Sequence, residues 1–242
     1  MERAATALAR EARYAGAATV EFLLGPGGAF YFLEVNTRLQ VEHPVTEMRS
    51  GIDLVRAQIE IAAGGPLPAR PALGGHAIEA RLNAEDPYHG YLPQTGRALF
   101  LAWPGGEGVR VDAGIAEGQP VHAHYDSLLA KIIAHGADRE EARRRLVRAL
   151  ESLVLLGVGT NQAFLLDLLN DDAFVRGETF THTLESREWP GPEEIPDEIW
   201  AAAAVTLFAP ARAAAGRDDA DRYTPWVALG SWGRLPAAGV PR

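Results

Sequence analysis

The sequence predicts an α+β fold, and three observations predict it. An alanine-rich stripe at helical spacing opens the chain. A β-branched and aromatic hairpin follows around Gly25-Pro26-Gly27-Gly28. Further on, four strand-like runs separated by Pro and Gly lead into two amphipathic helices.

In chain order, Ala4, Ala5, Leu8, Ala9 and Ala12 share one side of a helix expected over residues 1–15, with Arg and Glu opposite. Residues 17–24 and 29–36 read as paired strands. A four-residue turn pairs residue 24 with 29 and Glu21 with Phe32, leaving Glu34 diagonal to Glu21 on the face of Phe30 and Phe32. Both faces of the second strand are largely apolar, so burial on both sides is expected. Residues 37–51 read as a loop, and Ile52 to Ala63 as a helix stopped by Gly64-Gly65. A Pro/Ala/Gly-rich linker follows.

The runs HAIEARLN, RALFLAW, GVRVDAG and SLLAKIIAHG read as strands. Asp138 then opens a helix, with Glu141 at capping-box spacing and Ala142, Leu146, Ala149, Leu150 and Leu153 inward. A further helix follows Thr160-Asn161, with Phe164, Leu165, Leu168 and Leu169 inward. From Arg187 the chain turns proline-rich and acidic, then alanine-rich and helical, then polar. The expected divisions are 1–63, a linker at 64–75, 76–186, and 187–242, the last too poor in core to stand as a domain.

Composition narrows the function classes. The chain has 242 residues, 47% apolar and 23% charged, the balance of a globular protein. A net charge of −9 argues against a nucleic-acid partner, since a phosphate backbone demands a basic footprint. The absence of cysteine excludes disulfides, thiolate metal sites and thiol nucleophiles. The longest apolar stretch, Ile199 to Ala211, is shorter than the roughly 20 residues a membrane helix needs. No segment reads as a signal peptide, so no membrane role and a cytoplasmic location are expected. Lys131 is the one lysine among 23 basic residues, so lysine clamps on phosphate are scarce.

The hairpin carries the first candidate chemistry. A lone buried carboxylate costs several kcal/mol unless paired or metal-bound. Glu21, Glu34 and Asn36 offer hard oxygen donors suited to Mg²⁺ or Mn²⁺; alternatively, one glutamate is a solvated edge residue. Beyond them, Arg38, Gln40 and Glu42 point the same way in an extended chain. Such a set can bind a small oxyanion beside a base, or form a surface ion pair. In HAIEARLN, Glu79, Arg81 and Asn83 alternate with apolar residues as the polar side of a half-buried strand. His122 and His124, on one strand face near Asp126, have spacing that can bind Zn²⁺.

The stretch AGAATVEFLLGPGGAFYFLEVNTRLQVEHPVTEM closely resembles the latter half of the ATP-grasp region of biotin carboxylases. GHAIEARLNAEDP and HYDSLLAKIIAHGADREEA resemble the C-terminal domain that follows it, a domain of antiparallel strands and helices. The resemblance runs from about Tyr14 to Glu185, and EVNTRLQVEHPVTE is its most specific part. HAHYD and GVGTN look most like the α chains of acyl-CoA carboxylases of the methylcrotonyl-, propionyl- or acetyl-CoA type.

The resemblance implies ATP- and bicarbonate-dependent carboxylation of biotin on a carrier domain. It implies that Glu21, Glu34 and Asn36 bind the divalent metals on the ATP phosphates and that Leu23 lines the adenine pocket. Arg38, Gln40, Val41 and Glu42 would surround bicarbonate, with Glu42 as its base and Arg38 holding the anionic intermediates. Arg81 would meet the biotin ureido oxygen. Implied partners are the biotinylated carrier domain, a carboxyltransferase subunit and a second copy of the chain, met through Arg110 and Asp126. The family's first domain, its Gly-rich loop and its phosphate-clamping lysines have no counterpart here, so a fragment inactive by itself is expected. The alternative is a non-catalytic dimerisation or docking module.

Overall fold

A computed structural model describes residues 1–189, 191 and 195–208. The polar and Gly/Pro-rich runs expected beyond the alanine-rich helix lie outside these residues. Residues 1–191 belong to one compact unit, and the described residues 195–208 belong to another. Helix α1 (Glu2–Glu11) buries none of its residues. Its alanine stripe therefore marks a helix without a core behind it.

Strands β1 (Thr19–Leu24) and β2 (Phe30–Asn36) form the expected antiparallel hairpin, but in a different register. Leu24 pairs with Phe30, so the turn is one residue longer than expected. Gly27 and Gly28 take φ of 80° and 86° there, a conformation that favours glycine. A bulge then adds a second residue on β2, and Glu21 pairs directly with Glu34. The longer turn alone would have sent the two glutamates to opposite faces; the bulge restores them to one. Phe32 pairs with Phe22, and Phe22 meets Phe30 and Phe32 edge-on at 5.4 and 6.3 Å. Glu34 therefore leaves the phenylalanine face on which the regular register placed it. The strand is also exposed: Phe30 through Leu33 are each more than 40% accessible. Its apolar alternation says only that both faces are apolar, not that this part of the chain covers them.

Residues 43–50, expected as loop, form helix α2 (His43–Ser50). Pro44 sits in its first turn, where a missing N–H costs nothing, and Gly51 closes it at φ 71°. Helix α3 (Leu54–Ala62) follows, its first turn capped by Asp53. The stretch from 65 to 74 carries no helix or strand.

Next come β3 (His76–Asn83), β4 (Glu85–Asp86), β5 (Leu92–Pro93), β6 (Gly96–Arg97), β7 (Phe100–Ala102), β8 (Val109–Ala113), β9 (Pro120–Val121) and β10 (Leu128–Gly136). The central sheet has the order β3-β10-β8, antiparallel throughout. Helix α4 (Arg139–Ser152) covers one face. Its Leu146, Ala149 and Leu150, with Leu153 at its end, pack on Ala80, Leu82, Ala130, Ile132 and Ala134. The two-residue period of the strands thus sends the other set, Glu79, Arg81, Arg110, Asp112 and Lys131, to the opposite face.

Asp138 accepts from Glu141 N–H, as expected of the cap, while the Glu141 carboxylate reaches back to the N–H of Ala137 rather than of Asp138. Strand β11 (Val154–Leu156) pairs with β7, and helices α5 (Gln162–Asn170) and α6 (Asp172–Arg176) complete the unit. Phe164 and Leu169 are buried, and Leu165 and Leu168 partly so. In the second unit, helix α7 (Asp197–Phe208) carries Asp197 and Glu198 in its first turn, where the helix dipole favours acids. Among the described residues no helix is long and apolar enough to cross a membrane.

Candidate active site

Three polar groups are built on this scaffold, and the second and third are in contact. The first lies on the hairpin. Glu21 and Glu34 face each other across the strands, and Asn36 Nδ2 donates to both, at 2.8 and 3.1 Å. Two like charges directly opposite on a hairpin repel, and one amide only bridges them. The cluster offers two carboxylates and, after rotation of the amide, a carbonyl. That is a fit for Mg²⁺ or Mn²⁺, which take hard oxygens and complete their shell with water or phosphate. Leu23 lies two residues along β1, opposite Tyr31, and is exposed.

The second group follows from the end of β2. Arg38, Gln40 and Glu42 line one open cleft of about 330 Å³, together with Gly16–Thr19 and the start of α2. His43 Nδ1 lies 2.9 Å from the Gln40 carbonyl, which also accepts the His43 N–H at 3.2 Å. This tight turn aims Gln40 and Glu42 at the same space. Arg38 extends along the chain, donating to the Leu39 carbonyl at 3.3 Å, and stays exposed. Val41 is absent from the cleft lining; its carbonyl points to the central sheet.

The third group belongs to that sheet. Arg81 Nη2 donates to the Glu42 carboxylate at 2.7 Å, with both side chains 49% exposed. Lys131, directly across from Arg81 in the register, donates to the Val41 carbonyl at 3.1 Å and pairs with Asp112 at 3.3 Å. Arg110 grips Asp112 through two hydrogen bonds of 2.7 and 2.9 Å and reaches Glu47 on α2 at 2.6 Å. Burial alone would raise Asp112, but the hydrogen bonds and charge of Arg110, with those of Lys131, hold its carboxyl below the usual range. The bonds to Asp112 and Glu47 likewise raise Arg110. Glu47, 8% exposed, also accepts from Leu54 N–H at 2.7 Å, fastening α2 to α3.

Glu79 is not the solvated surface acid that its strand alternation allowed. Its side chain is 5% exposed, and neither oxygen accepts a hydrogen bond among the described residues. Burial pushes it up to about 7, against the pull of Lys131 and Arg81.

As members of the site, Glu79, Lys131 and Glu47 escaped the sequence reading. For Glu79 and Lys131 a signal existed in the polar alternation of β3 and β10, but pairing them requires the strand register. Arg110 and Asp126, expected between subunits, are both engaged within the chain: Asp126 accepts from Leu128 N–H at 2.9 Å. The zinc reading fails. Strand β9 ends at Val121, so His122 and His124 lie beyond it and share no strand face, their rings stacked 6.0 Å apart. No group of three His, Cys, Asp or Glu converges among the described residues.

Comparison with known proteins gives the class: an ATP-binding-domain segment followed by a carboxylase domain. Residues 1–70 match the carbamoyl-phosphate synthase L chain ATP binding domain, and residues 79–186 match the biotin carboxylase C-terminal domain. The chain is 46% identical over 180 residues to the biotin carboxylase of Pseudomonas aeruginosa, covering 73% of this chain and 40% of that protein. It is 45% identical over 189 residues to the human mitochondrial propionyl-CoA carboxylase alpha chain, covering 76% and 26%. A crystal structure of the biotin carboxylase subunit of pyruvate carboxylase superposes with a TM-score of 0.72 at 42% identity, covering 75% of this chain and 41% of that one. The biotin carboxylase domain dimer of Hydrogenobacter thermophilus 2-oxoglutarate carboxylase, solved with MgADP, ADP and bicarbonate, gives 0.71 at 41% identity, covering 74% and 40%. The chain belongs to the biotin carboxylase family, and it spans about 40% of the length of the first curated relatives it matches.

Proposed function

We propose that this chain supplies the metal, bicarbonate and biotin side of an ATP-dependent biotin carboxylase. The observation that carries the reading is the Glu42–Arg81 contact, which joins the oxyanion cleft to the sheet of the C-terminal domain. Glu21, Glu34 and Asn36 would hold the divalent ion, which neutralises phosphate charge during transfer. In the cleft, Glu42 takes the bicarbonate proton, so that a bicarbonate oxygen can attack the terminal phosphorus of ATP as ADP leaves. Arg38 holds the carboxyphosphate so formed and the charge that develops on biotin as phosphate leaves, the ureido N–H gives its proton to that phosphate, and the nitrogen takes the carboxyl group. Arg81 turns from Glu42 to the ureido oxygen. Leu23 would lie against adenine, while Gln40 and Val41 shape the bicarbonate subsite.

The carrier domain with its biotin, a carboxyltransferase subunit and a cytoplasmic setting belong to the same proposal. So does a homodimer through Arg110 and Asp126. Sedimentation velocity tests that dimer best with Asp126→Asn, because removing the Arg110 charge also breaks its contact with Glu47.

The exposed apolar faces of the hairpin favour a second reading, a dimerisation or docking module. One experiment separates the two. Mn²⁺ is added to the purified chain, and relaxation of ¹³C-bicarbonate is followed. The proposal expects enhanced relaxation, lost in Glu34→Gln and reduced in Arg38→Ala. No enhancement in the wild type, with self-association retained, favours the docking module.

A further inference from the structure

Arg81 stands between two carboxylates of opposite character. Glu42 holds Nη2 at 2.7 Å and is half-exposed. Glu79 lies 3.7 Å from Nε, with its side chain 5% exposed and both oxygens without a hydrogen bond among the described residues. A buried acceptor left without a donor costs about 1–3 kcal/mol or more. The nearby Lys131 does not relieve it, since its ammonium is directed to the Val41 carbonyl and to Asp112.

We propose that Glu79 is the positioning residue for Arg81, a buried second carboxylate that keeps the guanidinium in the cleft when Glu42 gives up its side of the pair. The inference deepens the proposed function and rests on its assignment of Glu42 and Arg81. In that function Glu42 takes a proton and loses the charge that attracts Arg81. A guanidinium held only by Glu42 would then swing into solvent. Glu79 is fixed on the strand two residues before Arg81, so its position does not depend on ligand.

This support depends on pH. The charged groups facing Glu79 are Arg81 on its own strand, Lys131 on β10, Asp112 on β8 and Glu42 ahead of α2. Of the ionisable groups on α2, His43 and Glu47 face each other at 3.9 Å, and Glu47 is taken by Arg110. Lys131 and Arg81 favour the ionised form of Glu79, while burial, Glu42 and Asp112 oppose it. Burial prevails and brings Glu79 to about 7. Its hold on Arg81 is therefore strong above neutrality and weak below.

The test is NMR on the isotopically labelled 242-residue chain. The Arg81 Nε–H resonance, identified by its loss in Arg81→Lys, is followed between about pH 5.5 and 8.5, a range chosen to span neutrality. The expected result is a shift with a midpoint near 7, abolished in Glu79→Gln and retained in Glu42→Gln. A flat wild-type profile overturns the proposal. So does a shift that survives Glu79→Gln, or one that disappears in Glu42→Gln. If Glu79→Gln fails to fold, the ¹³C titration of the Glu79 carboxyl in the wild type replaces it; a midpoint that differs from that of Arg81 overturns the idea. No ATP, metal or biotin enters the measurement. Failure of the chain to bind those ligands would count against the proposed function and leave this test standing.

Discussion

Glu42 and Arg81 are 39 residues apart in sequence and 2.7 Å apart in space. One ends the segment that follows the hairpin, and the other lies on the central sheet. Each side chain is 49% exposed, so water screens the pair and its contribution to folding is small. At about pH 5, where Glu79 is protonated and does not need Arg81 as a counter-charge, Arg81→Ala should therefore change the unfolding free energy by less than about 1 kcal/mol. Urea denaturation checks this. A loss above roughly 2 kcal/mol would make Arg81 a structural residue rather than one kept for ligand.

Glu79 sets a pH dependence of stability. Its folded-state value, about 7, lies above the ordinary carboxylate value of 4.5. Between those two the folded state holds the proton that the unfolded state has released. Stability contributed by this residue is therefore full below the lower value, falls as pH rises through the window, and stays lost above neutrality. Glu79→Gln should flatten that slope and gain roughly 2 kcal/mol relative to wild type at pH 8. Urea midpoints measured across the window decide it; parallel profiles for the two proteins would contradict the assignment.

The hairpin carboxylates should bind Mn²⁺ weakly, because two glutamates and an amide leave half of an octahedral shell to water. Glu34→Gln should abolish the binding and slightly stabilise the metal-free hairpin, by about 0.5 kcal/mol, through loss of like-charge repulsion. Water-proton relaxation titrations provide the first readout and thermal unfolding the second. Identical Mn²⁺ curves would remove the metal assignment.

Arg110 ties Asp112 and the buried Glu47 together. Removing it leaves Glu47 buried beside no cation of comparable reach. Arg110→Met should cost about 3 kcal/mol, and the double variant Arg110→Met/Glu47→Gln, which keeps an acceptor for the Leu54 N–H, should recover part of that loss. Absence of recovery in chemical denaturation would show that the two residues are not coupled.

Lys131 fastens the Val41 carbonyl to the sheet. Lys131→Met should speed amide exchange at His43 and Val45, whose N–H groups bond back to Gln40 and Glu42, while leaving the amides of α4 unchanged. Uniform acceleration across both helices would mean global destabilisation instead of a loosened site segment.

Much of the scaffold was legible in the sequence because it depends on local period and punctuation. The alternation in HAIEARLN and SLLAKIIAHG gave the strands of the sheet, and Ala142, Leu146, Ala149 and Leu150 gave the covering face of α4. Helix α2, read as loop, is only eight residues long and begins His43-Pro44, where the first helical turn tolerates proline. The hairpin was visible, but not its register: a longer turn and a bulge each shift the pairing by one residue, and their sum brings Glu21 opposite Glu34.

By itself the sequence determined the residue types and their order: three metal-type donors on a hairpin, then Arg38, Gln40 and Glu42, then a lone lysine on a strand. Those depend on composition and on spacings of a few residues. Tertiary structure alone decided that Arg81 meets Glu42, that Lys131 reaches Val41, and that Glu79 is buried rather than solvated. A strand's alternation specifies which side chains share a face. It does not specify what will cover that face, and here α2 and the turn before it carry their own polar groups onto it. Burial raises the Glu79 carboxyl only once that cover is in place, so its chemistry is a property of the fold and not of the strand.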